Sequence, residues 1–371
     1  MEKTTKKIIG LMSGTSCDSI DAAYCIVEPD LSVKLIKGIN YSYPDSIREL
    51  IFRAFSFEIT LKELCQLNFM IGQCFSDAAN KLIKELGRPD YIASHGQTVY
   101  HYPFDKKIEG INLKSTLQIG ESAVIAANTK CPVISNFREN DIAQGGQGAP
   151  LVCFADSIWF KNSLVQNIGG ISNVTVVSDT CDTFGFDTGC GNIMLDYCAK
   201  KFFNQKYDKG GEIALSGKVN DAWLLELLKD EYYKLNPPKT TGREHFSPEY
   251  IEKMLTLAPC DKRDIMATLA FLCAKTITNS YEDFVFNKAK VENVVIGGGG
   301  AYNKAIMKNL RELLPKNISL KTHEDFNISN NYKEAMAFAL LGYCRVYNIE
   351  SNVPSCTGAN KKAVLGKITL F

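Results

Sequence analysis

A turn with the residue types to hold a phosphate lies near the start of the chain. An apolar run over residues 8–12 leads into the small, hydroxyl-rich segment 13–19, and a second apolar run covers residues 20–27. This pattern predicts a β-hairpin whose turn offers backbone N–H groups and hydroxyls. Gly14 would let a phosphate approach the backbone, and Asp18 could hold Mg²⁺. An ordinary hairpin has the same pattern, and an Asx-turn is the alternative role of Asp18.

The same pattern returns in the middle of the chain. Apolar runs over residues 164–168 and 173–177 flank a turn of small residues, which contains Gly169, Gly170 and Ser172. A strand entering a glycine run, 293–300, follows later. A repeated hairpin of this kind suggests two similar α/β halves with a cleft between them.

The elements that must position these turns follow from apolar periodicity. Helices are predicted over residues 44–56, 61–86, 121–128, 193–203, 218–235, 248–257, 262–285, 301–314 and 332–347. Further strands are predicted over residues 33–39, 91–94, 131–134, 293–296 and 318–322. The glycine-rich segment 143–150 breaks the periodicity and predicts a loop.

Length and composition limit the possible classes of protein. The 371 residues exceed the usual ceiling of about 250–300 for one core, so two domains are expected. We expect one domain to cover residues 1–130 plus about 350–371 and the other residues 131–349. A net charge of +1 with interspersed signs does not favour nucleic-acid binding. No apolar run is long enough to span a membrane, and no signal peptide is evident, so a cytoplasmic location is expected.

Thirteen cysteines and four histidines do not indicate a metal or disulfide framework. The cysteines are scattered, odd in number and include no C-x-x-C pair, and the histidines lack metal-ligand spacing. Most of these cysteines have apolar neighbours. We therefore expect reduced thiols that act as small hydrophobic side chains.

The order of the two turns and the glycine run resembles the actin, hexokinase and Hsp70 superfamily. In that fold, one hairpin from each half holds the phosphates of a nucleotide. The resemblance implies two actin-like (ribonuclease H-like) α/β lobes with a nucleotide and sugar cleft between them. The first lobe would carry the first phosphate hairpin, and the second lobe the second hairpin and an adenosine-side glycine run.

Longer motifs resemble the anhydro-N-acetylmuramic acid kinase family, and they run in the family's order along nearly the whole chain. The matching segments are 10–21, 95–98, 118–121, 136–141, 146–150, 167–173, 186–192, 239–244, 297–300, 334–338 and 354–359. There are departures. Ser19 replaces the usual glycine of the first turn, so we expect Ser19 to take a φ that serine tolerates or the turn to shift slightly. Cys190 replaces a proline, which should loosen the turn after Asp187, and residues 302–304 replace a more usual Arg-Asn-Pro.

The resemblance implies a kinase that uses ATP and Mg²⁺ to convert 1,6-anhydro-N-acetylmuramic acid to N-acetylmuramic acid 6-phosphate during cell-wall sugar recycling. Water would open the anhydro bridge, and O6 would accept the phosphoryl group. Asp187 is then the candidate general base, because Gly189 and Gly191 beside it leave room for a sugar. An Asp that caps the helix beginning near Gly191 is the alternative.

The remaining roles also follow from the matched motifs. Phosphate and nucleotide contact is assigned to Gly14, Thr15, Ser16, Cys17, Asp18, Ser19, Ile20, Asp21, Gly169, Gly170, Ser172, Gly297, Gly298 and Gly299. Asp18 and Glu334 are the metal-side acids, acting through water; a structural carboxylate is the alternative for Glu334. Sugar and lactyl-carboxylate contact is assigned to His95, Gln97, Thr98, Arg138 and Asp141. For Arg138, an ion pair with Asp141 or Glu139 is the alternative. The resemblance also suggests a homodimer.

Two other functions fit the same pattern. A kinase of this fold that acts on another sugar or on a small acid would share the nucleotide motifs. A non-catalytic actin-like protein that binds nucleotide is the alternative of a different class. Intact Asp187 and the hydroxyl-rich turns argue against the second.

Overall fold

The computed structural model describes residues 2–258 and 261–371, which form a mixed α/β fold. Its strands are β1 (Lys6–Ser13), β2 (Ile20–Val27), β3 (Val33–Tyr41), β4 (Tyr91–Ile108), β5 (Ile111–Ile119), β6 (Val133–Ser135), β7 (Ser163–Ile168), β8 (Ile171–Ser178), β9 (Cys181–Cys190), β10 (Asn293–Gly297), β11 (Ser319–Thr322) and β12 (Lys367–Thr369).

The helices alternate with these strands along the chain. They are α1 (Asp45–Phe55), α2 (Leu61–Leu86), α3 (Ser122–Thr129), α4 (Glu139–Ala143), α5 (Val152–Trp159), α6 (Ile193–Phe203), α7 (Glu212–Ser216), α8 (Asp221–Leu227), α9 (Glu231–Lys234), α10 (Pro248–Leu255), α11 (Lys262–Phe284), α12 (Lys304–Leu313), α13 (Lys333–Val346) and α14 (Pro354–Thr357). Short 3₁₀ turns cover Lys209–Gly211, Gly299–Tyr302 and His323–Phe326.

The chain divides into two compact units, each built on one sheet. The first unit runs to Trp159 and includes Asn327–Phe371, and the second is Phe160–Phe326. The first sheet has the order β12-β6-β4-β1-β2-β3, with β5 paired to β4, and the second has the order β11-β10-β7-β8-β9.

Both sheets share one topology. In the first, β1, β2 and β3 are antiparallel neighbours, and β4 and β6 continue the sheet in parallel with β1. In the second, β7, β8 and β9 are antiparallel, and β10 and β11 continue in parallel with β7. The internal repeat is therefore a repeat of one five-stranded arrangement, and β5 and β12 are additions to it in the first sheet. The predicted two-sheet α/β fold class is confirmed.

The unit boundaries differ from the predicted ones at 130/131 and about 349/350. Residues 133–135 belong to the first unit because β6 pairs with β4 through Ile92 and Ala93. Helix α13 also belongs there because it packs on β1. A Cβ on Gly10 of β1 would lie 1.8 Å from the carbonyl oxygen of Ala335. Only glycine therefore allows this close approach of helix and strand.

Each unit has its own hydrophobic core. In the first, β1 and β4 pack against α2, and Phe75 of that helix is fully buried. In the second, α11 packs beside β9, and Trp223 and Tyr281 are almost completely buried. The twelve described cysteines are free thiols, and nine of them are buried, as expected for small hydrophobic side chains; Cys260 lies outside the described residues.

Some elements differ from the predicted ones. The strand predicted over 91–94 extends to Ile108 and pairs with β5, and the predicted helix over 218–235 is two short helices, α8 and α9. The first helix ends at Leu227, and Asp230 starts the second, because its side chain accepts from the N–H of Tyr232 and caps α9. Across residues 2–258 and 261–371, no helix combines the length and the hydropathy that a membrane span requires.

Candidate functional site

The first predicted phosphate turn is a tight turn between β1 and β2. The N–H of Cys17 donates to the carbonyl oxygen of Gly14 at 3.2 Å. Cys17 takes a φ of 53°, in the left-handed region that is costly for residues with a side chain. Ser19 is not among the residues with positive φ in the described part of the chain, so it takes a φ that serine tolerates, as expected. The Cys17 thiol points inward, and burial raises its pKa to about 11.

The outer part of this turn is open. Thr15 and Ser16 are exposed, and a Cβ on Gly14 would have no atom within 4 Å. Cys17 and Ile20 are fully buried, so their side chains cannot reach a ligand. Thr15 and Ser16 can therefore contact a nucleotide through their hydroxyl groups. Cys17 and Ile20, which were also predicted to contact it, can do so only through main-chain atoms.

The two acids of the turn have different surroundings. Asp18 is 67% exposed, and its Oδ1 accepts from Nη2 of Arg48 at 3.2 Å. Its side chain therefore forms an ion pair and not the Asx-turn that was the alternative role. Asp21 is half-buried and accepts from the Ser19 hydroxyl at 3.1 Å and from the Asn40 amide at 2.6 Å. Burial raises the pKa of Asp21, and these two hydrogen bonds oppose the rise.

Gln97 is fully buried and braces the first turn. The Ser13 hydroxyl donates to Oε1 of Gln97 at 2.7 Å, and Nε2 of Gln97 donates to the Gly14 carbonyl at 3.3 Å. Sequence reasoning placed Gln97 among the sugar contacts and missed this bracing function. Thr98 beside it is half-buried, and its hydroxyl oxygen accepts from the Gln118 amide at 3.1 Å.

Buried His95 pairs with half-buried Arg138. Nε and Nη2 of Arg138 donate to Nε2 of His95 at 3.1 and 2.9 Å, and Nδ1 of His95 donates to the Gly96 carbonyl at 2.9 Å. His95 is therefore neutral. Burial, reinforced by the Arg138 charge, lowers the pKa of His95 to about 3, against the effect of the Gly96 hydrogen bond.

Arg138 keeps free donors. A third hydrogen bond runs from Nη1 to the Gly148 carbonyl at 2.6 Å, which leaves two of the five guanidinium N–H groups unused. The alternative of an ion pair with Asp141 or Glu139 is not observed among the described residues. Arg138 is thus oriented by neutral partners, and its charge is not neutralised by a direct contact.

Asp141 holds the glycine-rich loop in place. Its carboxylate is fully buried and accepts from the Gly148 N–H at 2.8 Å, the Asn352 amide at 2.8 Å and the Thr357 hydroxyl at 2.7 Å. These contacts join the loop to the C-terminal segment of the first unit. With all three donors internal, the carboxylate has no exposed edge to present to a sugar.

Glu334 lies in the first turn of α13 and is exposed to solvent, although protein atoms crowd its carboxyl group. This crowding raises its pKa, and the nearby charge of Lys333 opposes the rise. Asp21 also raises the pKa of Glu334. The carboxyl group of Asp21 therefore lies near that of Glu334.

The donor set fits Mg²⁺ only as a partner of phosphate. No group of three or more His, Cys, Asp or Glu side chains that could hold a metal is found in the described part of the chain. Mg²⁺ commonly binds through one or two carboxylates, several waters and substrate phosphates, so a complete protein cage is not required. The exposed carboxylate of Asp18, beside the open backbone at Gly14, suits such a site.

The second turn, between β7 and β8, also carries a buried brace. Gln166 donates through Nε2 to the Ser172 hydroxyl at 2.8 Å, and the Thr188 hydroxyl donates to the same oxygen at 3.0 Å. The predicted phosphate contact of Ser172 is therefore not available to its side chain, which is fully buried. Gly170 is exposed, and the nearest atom to a Cβ built on it lies 3.9 Å away, so the turn backbone is open at this point.

The carbonyls of this second turn are used by α6. Asn192 N–H donates to Gly169 O at 2.7 Å, and the N–H groups of Gly191 and Ile193 donate to Gly170 O at 2.9 and 3.1 Å. A Cβ on Gly191 would lie 2.3 Å from Gly169 O, so this contact requires glycine. The turn and the helix start thus form one rigid unit.

Asp187 lies on β9, opposite Asn173 of β8. Its Oδ2 accepts from the Thr240 hydroxyl and from the Thr241 N–H, both at 2.9 Å. It does not cap α6, whose N-cap is Asn192, so the helix-capping alternative is wrong. Burial raises the pKa of Asp187, and the two hydrogen bonds at Oδ2 oppose the rise.

The strand after Asp187 is more regular than expected. Cys190 continues β9 opposite Ile171 of β8, so the looser turn predicted at this position is not present. Its buried Sγ lies 3.4 Å from the Tyr233 hydroxyl.

The glycine run serves two purposes. A Cβ on Gly297 would lie 2.1 Å from the His323 ring, on Gly298 2.6 Å from Asn167, and on Gly300 2.3 Å from Ile168. These three glycines therefore allow close packing. Gly299 differs, because its nearest neighbour would be the Asn192 amide at 3.6 Å.

Gly299 lines a cavity of about 630 Å³ within the second unit. Its other lining residues include Asn192, Asp196, Tyr207, Tyr302 and Asn303. Tyr207 and Tyr302 are more than half exposed and supply aromatic surface. Burial raises the pKa of Asp196 to about 6. The volume lies within the range of small-molecule sites in proteins. Sequence reasoning did not identify this cavity, because only the fold joins residues 192–212 to the glycine run.

Comparison with known proteins agrees with the motif pattern. The family model for anhydro-N-acetylmuramic acid kinase matches residues 6–370. An anhydro-N-acetylmuramic acid kinase of Caldanaerobacter subterraneus is 42% identical over 388 residues, which cover 99% of this chain and 98% of the relative. Relatives of the same description from Bacillus cereus (strain Q1) and Clostridioides difficile are 42% and 41% identical, with 98% and 97% of both chains covered.

Two solved structures show a distant likeness to this chain. A ligand-bound xylulose kinase from Lactobacillus acidophilus gives a TM-score of 0.47 at 9% identity, with 98% of this chain and 93% of that chain covered. Component A of an Acidaminococcus fermentans 2-hydroxyglutaryl-CoA dehydratase gives 0.45 at 13% identity, with 93% and 100% covered.

Proposed function

Because the chain belongs to the anhydro-N-acetylmuramic acid kinase family, we propose that it is an ATP-dependent kinase that converts 1,6-anhydro-N-acetylmuramic acid to N-acetylmuramic acid 6-phosphate. Water adds to the anomeric carbon, and the bond from this carbon to O6 breaks. The released O6 accepts the γ-phosphoryl group of ATP. The products are the 6-phosphate and ADP.

The observation that carries this proposal is the environment of Asp187. A general base needs a carboxylate that is fixed in position, has one accessible oxygen and has a pKa closer to the working pH than a free aspartate. Asp187 is held at Oδ2 by two donors, and burial raises its pKa. Its part is to take a proton from the attacking water.

The phosphates and the nucleoside have separate supports in this proposal. The open turn at Gly14, Thr15 and Ser16 and the exposed Gly170 offer backbone and hydroxyl groups to phosphate oxygens. The cavity beside Gly299 takes the adenosine, with Tyr302 supplying aromatic surface to the base. Gly297 and Gly298 support this cavity through packing and make no direct contact.

Arg138 recognises the lactyl carboxylate of the sugar. Its two unused N–H groups suit a bidentate contact, and His95 holds the guanidinium in orientation. Mg²⁺, when bound, neutralises phosphate charge, and Asp18 would hold it through water, with Glu334 as a second metal-side acid. Gln97 and Asp141 position the turn and the loop, and Thr98 completes the sugar side.

The cellular setting belongs to the proposal as well. The reaction would return a product of cell-wall turnover to amino-sugar metabolism in the cytoplasm. The protein would act as a homodimer, without nucleic-acid or membrane partners. Sedimentation velocity at micromolar concentration tests the assembly, and a single species of 41.2 kDa would contradict it.

Coupled measurement of ADP release tests the function. The purified chain is assayed with ATP and Mg²⁺ alone, with the anhydro sugar, and with ordinary N-acetylmuramic acid. We expect sustained ADP release only with the anhydro sugar. Release without sugar would favour a filament-type ATPase, equal rates with both sugars would favour a kinase of broader specificity, and no release would favour a non-catalytic binding protein.

A further inference from the structure

We propose that Thr240 is a positioning residue for Asp187, which holds Oδ2 so that Oδ1 is the oxygen that takes the proton from water. This inference rests on the proposed function, since it assigns the working atom of the proposed base. It concerns a residue of the 239–244 segment, to which the sequence had given no chemical role.

The contacts of Asp187 fix the residue on three sides. Its N–H donates to the Lys239 carbonyl at 3.1 Å, and its carbonyl accepts from the Tyr232 hydroxyl at 2.8 Å. Its Oδ2 accepts from Thr240 and Thr241. The segment from Lys239 to Thr241 therefore lies along Asp187 and binds both its backbone and its carboxylate.

This segment is itself well anchored. The Lys239 side chain is buried, and its Nζ donates to the Tyr233 carbonyl at 3.2 Å. The ammonium group lies 4.9 Å from the centre of the Phe284 ring and 5.0 Å from that of Tyr232, distances typical of cation–π contact. A fixed Lys239 places the next residue, Thr240, with its hydroxyl against Asp187.

The two carboxylate oxygens are unequal. Both donors meet Oδ2, and Oδ1 receives no hydrogen bond from any residue that the structure describes. Oδ1 is also not among the buried polar atoms that lack a partner, so water reaches it. An oxygen already bonded to two donors is a poorer proton acceptor than one that faces solvent. Oδ1 is therefore the atom that accepts the proton.

The donated hydrogen bond also tunes the base. A hydrogen bond to the charged form of a carboxylate favours that form and lowers the pKa. Loss of the Thr240 hydroxyl should therefore raise the pKa of Asp187 further above its ordinary value. The acidic limb of kcat/KM reports the pKa of the essential base in the free enzyme, so this limb should move to higher pH.

The test compares three variants across the pH range. Thr240→Val removes the hydroxyl and keeps the shape, and we expect its acidic limb to move up by about one pH unit, the size of a typical charge-assisted hydrogen bond. Thr240→Ser keeps the donor and should keep the parent limb. Thr241→Val should also keep it, because the Thr241 hydroxyl contacts no acceptor, whereas its N–H donor is retained.

A second readout separates this inference from the proposed function. The carboxyl carbon of Asp187 is titrated by ¹³C NMR without substrate, with Asp187→Asn used to assign the signal. A higher pKa in Thr240→Val supports the positioning role even if the parent proves inactive on the anhydro sugar. The positioning role would be overturned if Thr240→Val left both the NMR pKa of Asp187 and the acidic limb of kcat/KM unchanged. Equal shifts in all three variants would also overturn it. Thr240 is exposed, and Thr240→Ala provides a further variant if Thr240→Val does not fold.

Discussion

The Ser13 hydroxyl donates to the buried amide of Gln97 at 2.7 Å, and in the second unit the Gln166 amide donates to the buried Ser172 hydroxyl at 2.8 Å. Each glycine-rich turn is therefore braced from inside by a glutamine–serine hydrogen bond. The two braces differ in direction and in the strands that supply them. They share one effect, which is to fix a turn backbone whose outer side stays open.

Loss of the first brace should disturb ATP use more than sugar binding. Gln97→Met keeps the length of the side chain but leaves the Ser13 hydroxyl with only the long 3.4 Å hydrogen bond to the Ser19 carbonyl, which costs about 1–3 kcal/mol of unfolding free energy. We expect KM for ATP to rise severalfold and KM for the sugar to stay close to the parent. Denaturant unfolding and steady-state kinetics measure both effects. A selective rise in the sugar KM would instead restore Gln97 as a sugar contact.

Arg138 should determine the preference for a sugar that carries a lactyl group. Arg138→Ala removes the guanidinium, and we expect kcat/KM for the anhydromuramic sugar to fall about 10- to 100-fold, the range of a charged hydrogen-bonded contact. KM for ATP should change little. As a matched substrate, 1,6-anhydro-N-acetylglucosamine lacks the lactyl carboxylate, so the parent should disfavour it and Arg138→Ala should not. Undiminished discrimination in the variant would refute this role.

Burial of neutral His95 should make the protein sensitive to acid. Its pKa is about 3 in the folded state, against an ordinary value of 6.5, so the unfolded chain binds a proton that the folded chain does not. Stability from this group is complete above pH 6.5 and is lost as the pH falls towards 3, at about 1.4 kcal/mol per pH unit. Denaturant unfolding at pH 7 and pH 5 should show the loss in the parent and a smaller loss in His95→Gln. Equal losses of unfolding free energy in the parent and in His95→Gln would contradict this role of His95.

Two glycines of one run should separate stability from nucleotide binding. Gly297→Ala places a methyl group against the His323 ring and should cost about 1–3 kcal/mol of unfolding free energy. Gly299→Ala meets only an ordinary contact at 3.6 Å and should keep the stability of the parent. Because Gly299 lines the cavity, this variant should weaken ADP binding, measured by calorimetry. Unchanged ADP affinity in Gly299→Ala would place the nucleoside elsewhere.

Local sequence pattern predicted those elements whose signals are local. Helices α2 and α6 agree with their predicted ranges because their apolar spacing is continuous, and Thr60 and Glu63 form a capping box at the start of α2. Strand β9 was missed because Gly185 and Gly189 interrupt its apolar pattern. The chain positions of both phosphate turns followed from the same local pattern.

The roles of single side chains depended on distant partners. The sequence indicates only that Gln97 is a polar residue near the end of a strand. The parallel pairing of β4 with β1 places it beside Ser13. Asp141 likewise meets Asn352 and Thr357, more than 200 residues away in sequence. Asp187 was identified from its motif, whereas its contact with Thr240 required the fold to bring residue 240 beside β9.

Turnover by Asp187→Asn tests most directly whether Asp187 is the general base. The substitution keeps the size of the side chain and removes the proton acceptor. We expect loss of ATP-dependent conversion of the anhydro sugar by at least a hundredfold, the usual contribution of a general base, with ADP affinity unchanged. Turnover within about tenfold of the parent would contradict the assignment of Asp187 as the base.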